Sequence, residues 1–144
     1  MSHFDNLNQL NTEALAYMGD AVYEKYVREM LLGRGMAKVS NLHRYATKYV
    51  KAPAQAKAIK TLMGDAIRKP QDRTDTGSEL TEQEQQLVKR ARNHRFSSKA
   101  KNADPITYKW ATAFEALTGY LYLSGEEGRL KWLMERAVEI TDGE

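Results

Sequence analysis

The sequence predicts an all-α protein. Helix-length segments carry apolar side chains at three- and four-residue spacing, no segment alternates apolar and polar residues for long, and glycine and proline punctuate the helical patterns. Together these give one domain over residues 1–144, a bundle of about six or seven helices.

The first helix runs from about Thr12 to Leu32 and stops at Gly33-Arg34-Gly35. Leu15, Met18, Val22, Tyr26 and Met30 mark its apolar stripe. Ala14, Ala16, Tyr17, Ala21 and Tyr23 fill the other faces, so its N-terminal half reads as buried nearly all round. A second helix, capped by Ser40, buries Leu42, Tyr45, Ala46, Tyr49 and Val50. Pro53 suits the first turn of a third, with Ala56, Ile59, Leu62, Met63 and Ile67 facing the core. Arg68 to Glu79 is polar and broken by Pro70 and Gly77, a long loop. Thr81 and Glu84 form a capping box for a fourth helix with a narrow face of Leu87, Val88 and Ala91. After a basic loop, Asp104-Pro105 opens a fifth helix rich in Trp110, Phe114, Leu117, Tyr120 and Leu121. A sixth spans about Glu126 to Ile140, burying Leu130, Leu133, Met134, Ala137 and Val138. Met63-Gly64-Asp65-Ala66-Ile67 nearly repeats Met18-Gly19-Asp20-Ala21-Val22, but it closes a helix ahead of a polar loop. Gly64 reads there as a terminator and Asp65 as a solvated residue.

Composition excludes several classes. With no cysteine there are no disulfides or thiolate metal sites, which fits a cytoplasmic chain. No apolar run is long enough to span a membrane, and the polar start has no signal-peptide core. Net charge is +3, yet Gln85–Ala103 alone holds six Lys or Arg and no acid, leaving −3 for the remainder.

Two acidic residues lie in the most apolar stretches of long helices, Asp20 and Glu115. A buried carboxylate must be paired, hydrogen-bonded or coordinated, since desolvating it alone costs several kcal/mol. If the two helices pack together, the carboxylates converge. An oxygen ligand set suits a hard cation, Mg²⁺ or Mn²⁺; a core hydrogen bond or an arginine partner is the alternative. Glu13 and Glu24 lie within roughly 40° of Asp20 around the helix, one acidic stripe that can add ligands through water. In the basic stretch Arg90, Arg92, His94, Arg95, Ser97, Ser98, Lys99 and Lys101 offer charge and hydroxyls to phosphates, the pattern of a nucleic-acid contact. There is no His-Glu-x-x-His, phosphate-binding glycine loop or nucleophile elbow.

Met18-Gly19-Asp20-Ala21-Val22-Tyr23-Glu24 resembles the Gly-Asp-Ala signature of ribonuclease III catalytic domains, and Phe114-Glu115-Ala116-Leu117-Thr118-Gly119 resembles that family's second motif. Leu42-His43, Gln55-Ala56, Arg92-Asn93 and Lys101-Asn102-Ala103-Asp104 are similar to the short subgroup, mini-ribonuclease III, which lacks a double-stranded-RNA-binding domain. The likeness covers roughly Leu10 to Ile140. Two spaced motifs with matching length make it far more specific than a lone tripeptide.

The resemblance implies a ribonuclease III-type all-α endonuclease domain that forms a homodimer. It also implies Mg²⁺-dependent hydrolysis of double-stranded RNA to 5′-phosphate and 3′-hydroxyl ends, with a 23S ribosomal RNA precursor as natural substrate. Asp20 would match the catalytic aspartate of the first motif and Glu115 the metal-binding glutamate of the second. Ala16 stands where the longer enzymes carry glutamate and Thr112 where they carry aspartate, the pattern of the short subgroup. These two positions keep one other class open, a catalytically inactive RNA-binding or ribosome-assembly protein. Tyr17, Tyr23, Tyr26, Tyr120 and Tyr122 flank the motifs and suit an isologous interface built on the first helix.

Overall fold

The computed structural model describes Leu7, residues 10–95 and residues 104–144. Among these, six α-helices and no strand are present: α1 (Thr12–Gly33), α2 (Val39–Val50), α3 (Ala52–Met63), α4 (Glu82–Arg92), α5 (Pro105–Leu123) and α6 (Glu127–Asp142). α5 is the axle of the bundle. It packs against α1, α3, α4 and α6, and is buried on most of its faces from Trp110 to Leu123.

Local chemistry sets the helix ends. Asn11 caps α1 by accepting from the Ala14 N–H at 2.8 Å. The expected capping box opens α4: the Glu84 N–H donates to Thr81 Oγ1 at 3.1 Å, and the Thr81 N–H to Glu84 Oε1 at 2.9 Å. Asp104 accepts from the Thr107 N–H at 3.1 Å, with Pro105 in the first turn of α5. α2 departs from expectation. Val39 and Ser40 are already helical, Lys38 is the cap residue, and no side chain caps it. α2 is also the outermost helix: only Tyr49 is fully buried, and Tyr45 is 42% exposed.

The largest revision concerns α1. Rather than being buried nearly all round, it is two-faced. Leu15, Ala16, Gly19, Tyr23, Val27 and Leu31 face the core, whereas Ala14, Tyr17 and Ala21 are exposed. Tyr17 is 82% exposed. Tyr23 belongs to the core, edge-on to Phe114 with ring centroids 4.9 Å apart, so it is not available to an interface. Met18, Val22, Tyr26 and Met30 form a half-buried stripe beside the core face.

The glycines explain why α1 and α5 lie so close. A methyl group on Gly19 would stand 1.8 Å from the Glu115 carbonyl oxygen, and one on Gly119 would stand 2.0 Å from that of Leu15. The helices cross backbone to backbone, and only hydrogen fits on either side.

The loop after α3 also differs from a plain solvated segment. Gly64 ends α3 with a φ of 54°, as expected of a terminator. Asp65 is half-buried and organises the first half of this loop. It accepts from the Thr74 N–H at 3.1 Å and pairs with Arg68 at 3.2 Å. Partial desolvation pushes its carboxyl up. The Thr74 and Thr76 N–H groups and Arg68 outweigh that and hold it below the ordinary carboxylate range. Short 3₁₀ turns at Gly64–Ile67 and Pro70–Asp72 interrupt the loop.

Candidate active site

The α1–α5 crossing brings together the two carboxylates singled out in the sequence. Asp20 follows Gly19 on α1, and Glu115 precedes Gly119 by one turn on α5. Their side chains come close enough for the charge of Asp20 to act on Glu115. Asp20 lies at the surface, contrary to the buried placement read from its helix, while Glu115 is half-buried. Burial, then the charge of Asp20, then the hydrogen bond to it push the Glu115 carboxyl up to about 8. A hydrogen bond from the Gln55 carboxamide acts the other way. Without a cation Glu115 therefore holds its proton at neutral pH.

The rest of the acidic stripe does not converge here. Glu24 lies 3.7 Å from Arg28 on its own helix and faces the groove between α1 and α2. Glu13 is exposed, with its carboxylate 4.0 Å from His94 Nε2. Among the described residues no three His, Asp or Glu side chains stand together as a metal-binding group. Ala16 and Thr112 are both buried, and the Thr112 hydroxyl is turned back to the Tyr108 carbonyl at 2.9 Å.

Sequence spacing overlooked Gln55. It is 3% exposed at the start of α3, and its Nε2 donates to the Val50 carbonyl at 3.1 Å. Nothing in an isolated helix pattern marks it, because its relation to Glu115 arises only from the packing of α3 on α5.

The basic stretch is divided. Arg92 is half-buried, its guanidinium 5.0 Å from the centre of the Trp110 ring, so it anchors α4 to α5. Arg90 and Arg95 are exposed. Ser97, Ser98, Lys99 and Lys101 lie outside the described residues. A second basic run went unread: no acid occurs between Glu29 and Asp65, an interval with seven Lys or Arg. Several of these are engaged, Arg34 with Asp142 at 2.8 Å and Lys57 with Glu144 at 3.1 Å. Lys38, Arg44 and Lys51 are exposed on or beside α2. The absence of acids over that length was the signal that marks it.

Residues 13–126 match the Ribonuclease III domain, and that span contains both carboxylates and the crossing that joins them. The chain belongs to the ribonuclease III family. Mini-ribonuclease 3 of Brevibacillus brevis is 44% identical over 137 residues, 95% of this chain and 92% of that protein. Mini-ribonuclease 3 of Streptococcus pneumoniae is 40% identical over 138 residues, 96% and 98% of the two chains. A crystal structure of a Fusobacterium nucleatum protein superposes with a TM-score of 0.74 at 26% identity, covering 91% of this chain and 95% of that one. The ribonuclease III domain here is thus a whole-chain match to the short form, and it is an endoribonuclease. Among the described residues no helix is long and apolar enough to cross a membrane.

Proposed function

We propose that this endoribonuclease is Mg²⁺-dependent, with Mn²⁺ able to substitute. We further propose that it cuts double-stranded RNA to 5′-phosphate and 3′-hydroxyl ends, with a 23S ribosomal RNA precursor in the cytoplasm as its natural substrate. The observation that carries this reading is the Asp20–Glu115 pair at a crossing that two glycines hold closed. The donor set fits a hard cation, because it consists of carboxylate oxygens, the sequence has no cysteine, and no cluster of three His, Asp or Glu forms among the described residues. Asp20 and Glu115 would hold the cation, which would displace the proton on Glu115. When bound, such a cation neutralises phosphate charge and lowers the pKa of attacking water.

The protein's own groups do the rest. Asp20, exposed on the rim, meets solvent where a phosphodiester can approach. Glu115 stands beside it, near enough for the charge of Asp20 to act on its carboxyl. Arg90 and Arg95, with Arg44 and Lys51 of the second basic run, would grip the backbone of an A-form helix, which is recognised mainly by shape, phosphates and 2′-hydroxyls.

A homodimer is supported by the half-apolar side of α1. Met18, Val22 and Tyr26 line a shallow groove of about 330 Å³ with Tyr122, Leu130 and Met134. An isologous pairing there would place two identical sites across the two strands of a duplex. Cleavage of a perfect RNA duplex with Mg²⁺ and not with EDTA is the direct test. Asp20→Asn and Glu115→Gln should each abolish cleavage while leaving folding and RNA binding intact. A duplex left uncut by the wild type at saturating Mg²⁺ would reduce the chain to an RNA-binding protein.

A further inference from the structure

We propose that Tyr49, with Arg34 and Asp142, is a positioning residue for substrate binding. The three side chains tie α2 to the ends of α1 and α6 and hold its basic side in register beside the Asp20 end of the crossing. This role rests on the reading of Arg44 and Lys51 as phosphate contacts.

Packing alone fixes α2 weakly. Its principal neighbours are α1, α3 and α6 at the rim of the bundle, and Tyr49 is its one fully buried residue. Leu42, Ala46 and Val50 line a groove of about 220 Å³ with Leu31 and Leu32 of α1. Apolar contact of this kind is non-directional and sets no register. The polar tie does. The Tyr49 hydroxyl donates to Asp142 Oδ1 at 2.5 Å. Arg34, just past the end of α1, donates from Nη1 to the Tyr49 hydroxyl oxygen at 3.1 Å and from Nη2 to Asp142 Oδ2 at 2.8 Å. Each carboxylate oxygen has its own donor, and three helices meet at one point through charge-assisted bonds. Lys48 Nζ, 4.0 Å from Asp142 Oδ1, adds charge from the α2 side.

The register of α2 matters because of what it borders. Glu24, one turn beyond Asp20 on α1, lines the same groove, opposite His43 and Thr47 of α2. α2 therefore walls the side of α1 on which Asp20 lies, with Arg44 and Lys51 exposed on or beside it. A duplex presents its phosphates at fixed spacing, so cations engage them together only from a fixed register.

The competing explanation is that Tyr49 merely adds stability. The chain contains its own control. Arg136 donates twice to Glu79 at 2.8 Å and once to Glu139 at 3.3 Å, tying α6 to the loop ahead of α4 rather than to α2. A purely stabilising role predicts the same behaviour from both ties.

The test measures binding of a perfect RNA duplex to the full-length protein in EDTA, well below Tm, over a salt series. Tyr49→Phe removes only the hydroxyl and leaves the Arg34–Asp142 pair. It should weaken binding about threefold, because α2 then spends time out of the binding-competent register. Its salt dependence should be shallower, since fewer phosphates are neutralised together. In an Arg44→Ala, Lys51→Ala background Tyr49→Phe should add little, because the contacts it positions are gone. Arg136→Met should leave affinity and salt slope unchanged. With Mg²⁺, Tyr49→Phe should raise KM by the same factor and leave kcat intact. Tyr49→Phe binding within about twofold of wild type overturns the proposal, as does an equal loss with and without Arg44 and Lys51. If Tyr49→Phe does not fold by circular dichroism, Asp142→Ala is judged by the same two criteria. If the Arg44→Ala, Lys51→Ala protein binds as wild type does, or wild type does not bind duplex at all, the phosphate-contact reading fails and the Tyr49 role with it. Loss in that double variant with no change in Tyr49→Phe removes the Tyr49 role alone.

Discussion

Gly19→Ala should cost far more than the loss of one hydrogen suggests. An alanine in the middle of α1 gains about 1 kcal/mol of helix propensity over glycine. Against this, its methyl would lie 1.8 Å from the Glu115 carbonyl oxygen, where such contacts are essentially never below 3.0 Å. The backbones must part by at least about 1.2 Å, the difference between those two distances. Overpacking of side chains costs about 1–3 kcal/mol. Here the obstacle is main chain on both sides, which cannot change rotamer, so the cost belongs at or above the top of that range. Net destabilisation should be at least about 2 kcal/mol, or roughly 6–8 °C in Tm for a chain of this size. Gly128→Ala in α6, with nothing within 4 Å of the added methyl, is the control and should be neutral or stabilising. Gly119→Ala should behave like Gly19→Ala, and the double variant should lose less than the sum, because the first methyl has already opened the crossing. Cleavage measured well below Tm should fall as well, since parting the helices separates Asp20 from Glu115. A Gly19→Ala protein melting within 1 °C of wild type would refute the backbone contact and the placement of the site upon it.

Glu115 has a folded pKa of about 8 against an ordinary 4.5, so stability is fully present below pH 4.5 and is lost as pH rises through 8. In EDTA, Glu115→Gln should therefore melt level with wild type at pH 4 and clearly above it at pH 9. An equal Tm at both would mean that Glu115 is not buried beside a charge. Arg129→Met should cost about 2 kcal/mol by leaving the buried Glu84 carboxylate without the guanidinium 2.8 Å away. Desolvation pushes Glu84 up, but Arg129 and the Thr81 N–H hold it below its ordinary value. The wild type accordingly loses stability as pH falls through that lowered pKa, and Arg129→Met should flatten that acid limb in a denaturant series. Replacing Arg95, Lys99 and Lys101 with alanine should weaken duplex binding and make its salt dependence shallower. Arg44→Ala with Lys51→Ala should do the same if the second basic run also meets the backbone. Unchanged dissociation constants at low and moderate salt would leave either set as a solvated face.

Helix positions were legible because caps and apolar spacing are local: Thr81 with Glu84, Asp104 with Pro105, and the α6 stripe form as their neighbours dictate. Which face of a helix turns inward was less so. α2 has a well-formed apolar stripe yet stays peripheral, because α3, α4 and α6 occupy more of the surface of α5. In α1, ranking residues by hydrophobicity favours Met18 and Val22 over Ala16 and Gly19, although the latter pair faces the core. Gly19 brings no apolar surface of its own. What it contributes is proximity, and the spacing of apolar residues carries no measure of that.

The same glycines account for where the two carboxylates lie. With Gly19 against α5, the next residue is turned by about 100° from the contact, so Asp20 comes out on the rim of the crossing rather than inside it. Gly119 and Glu115 are four residues apart and share one face of α5, one turn removed, so Glu115 lies along the contact and is covered by it. A surface carboxylate and a covered one then meet across the edge of a closed helix pair, and the first charge to be suppressed is that of the covered one. Each motif thus carries both halves of the arrangement, a glycine that closes the crossing and an acid placed by that closure.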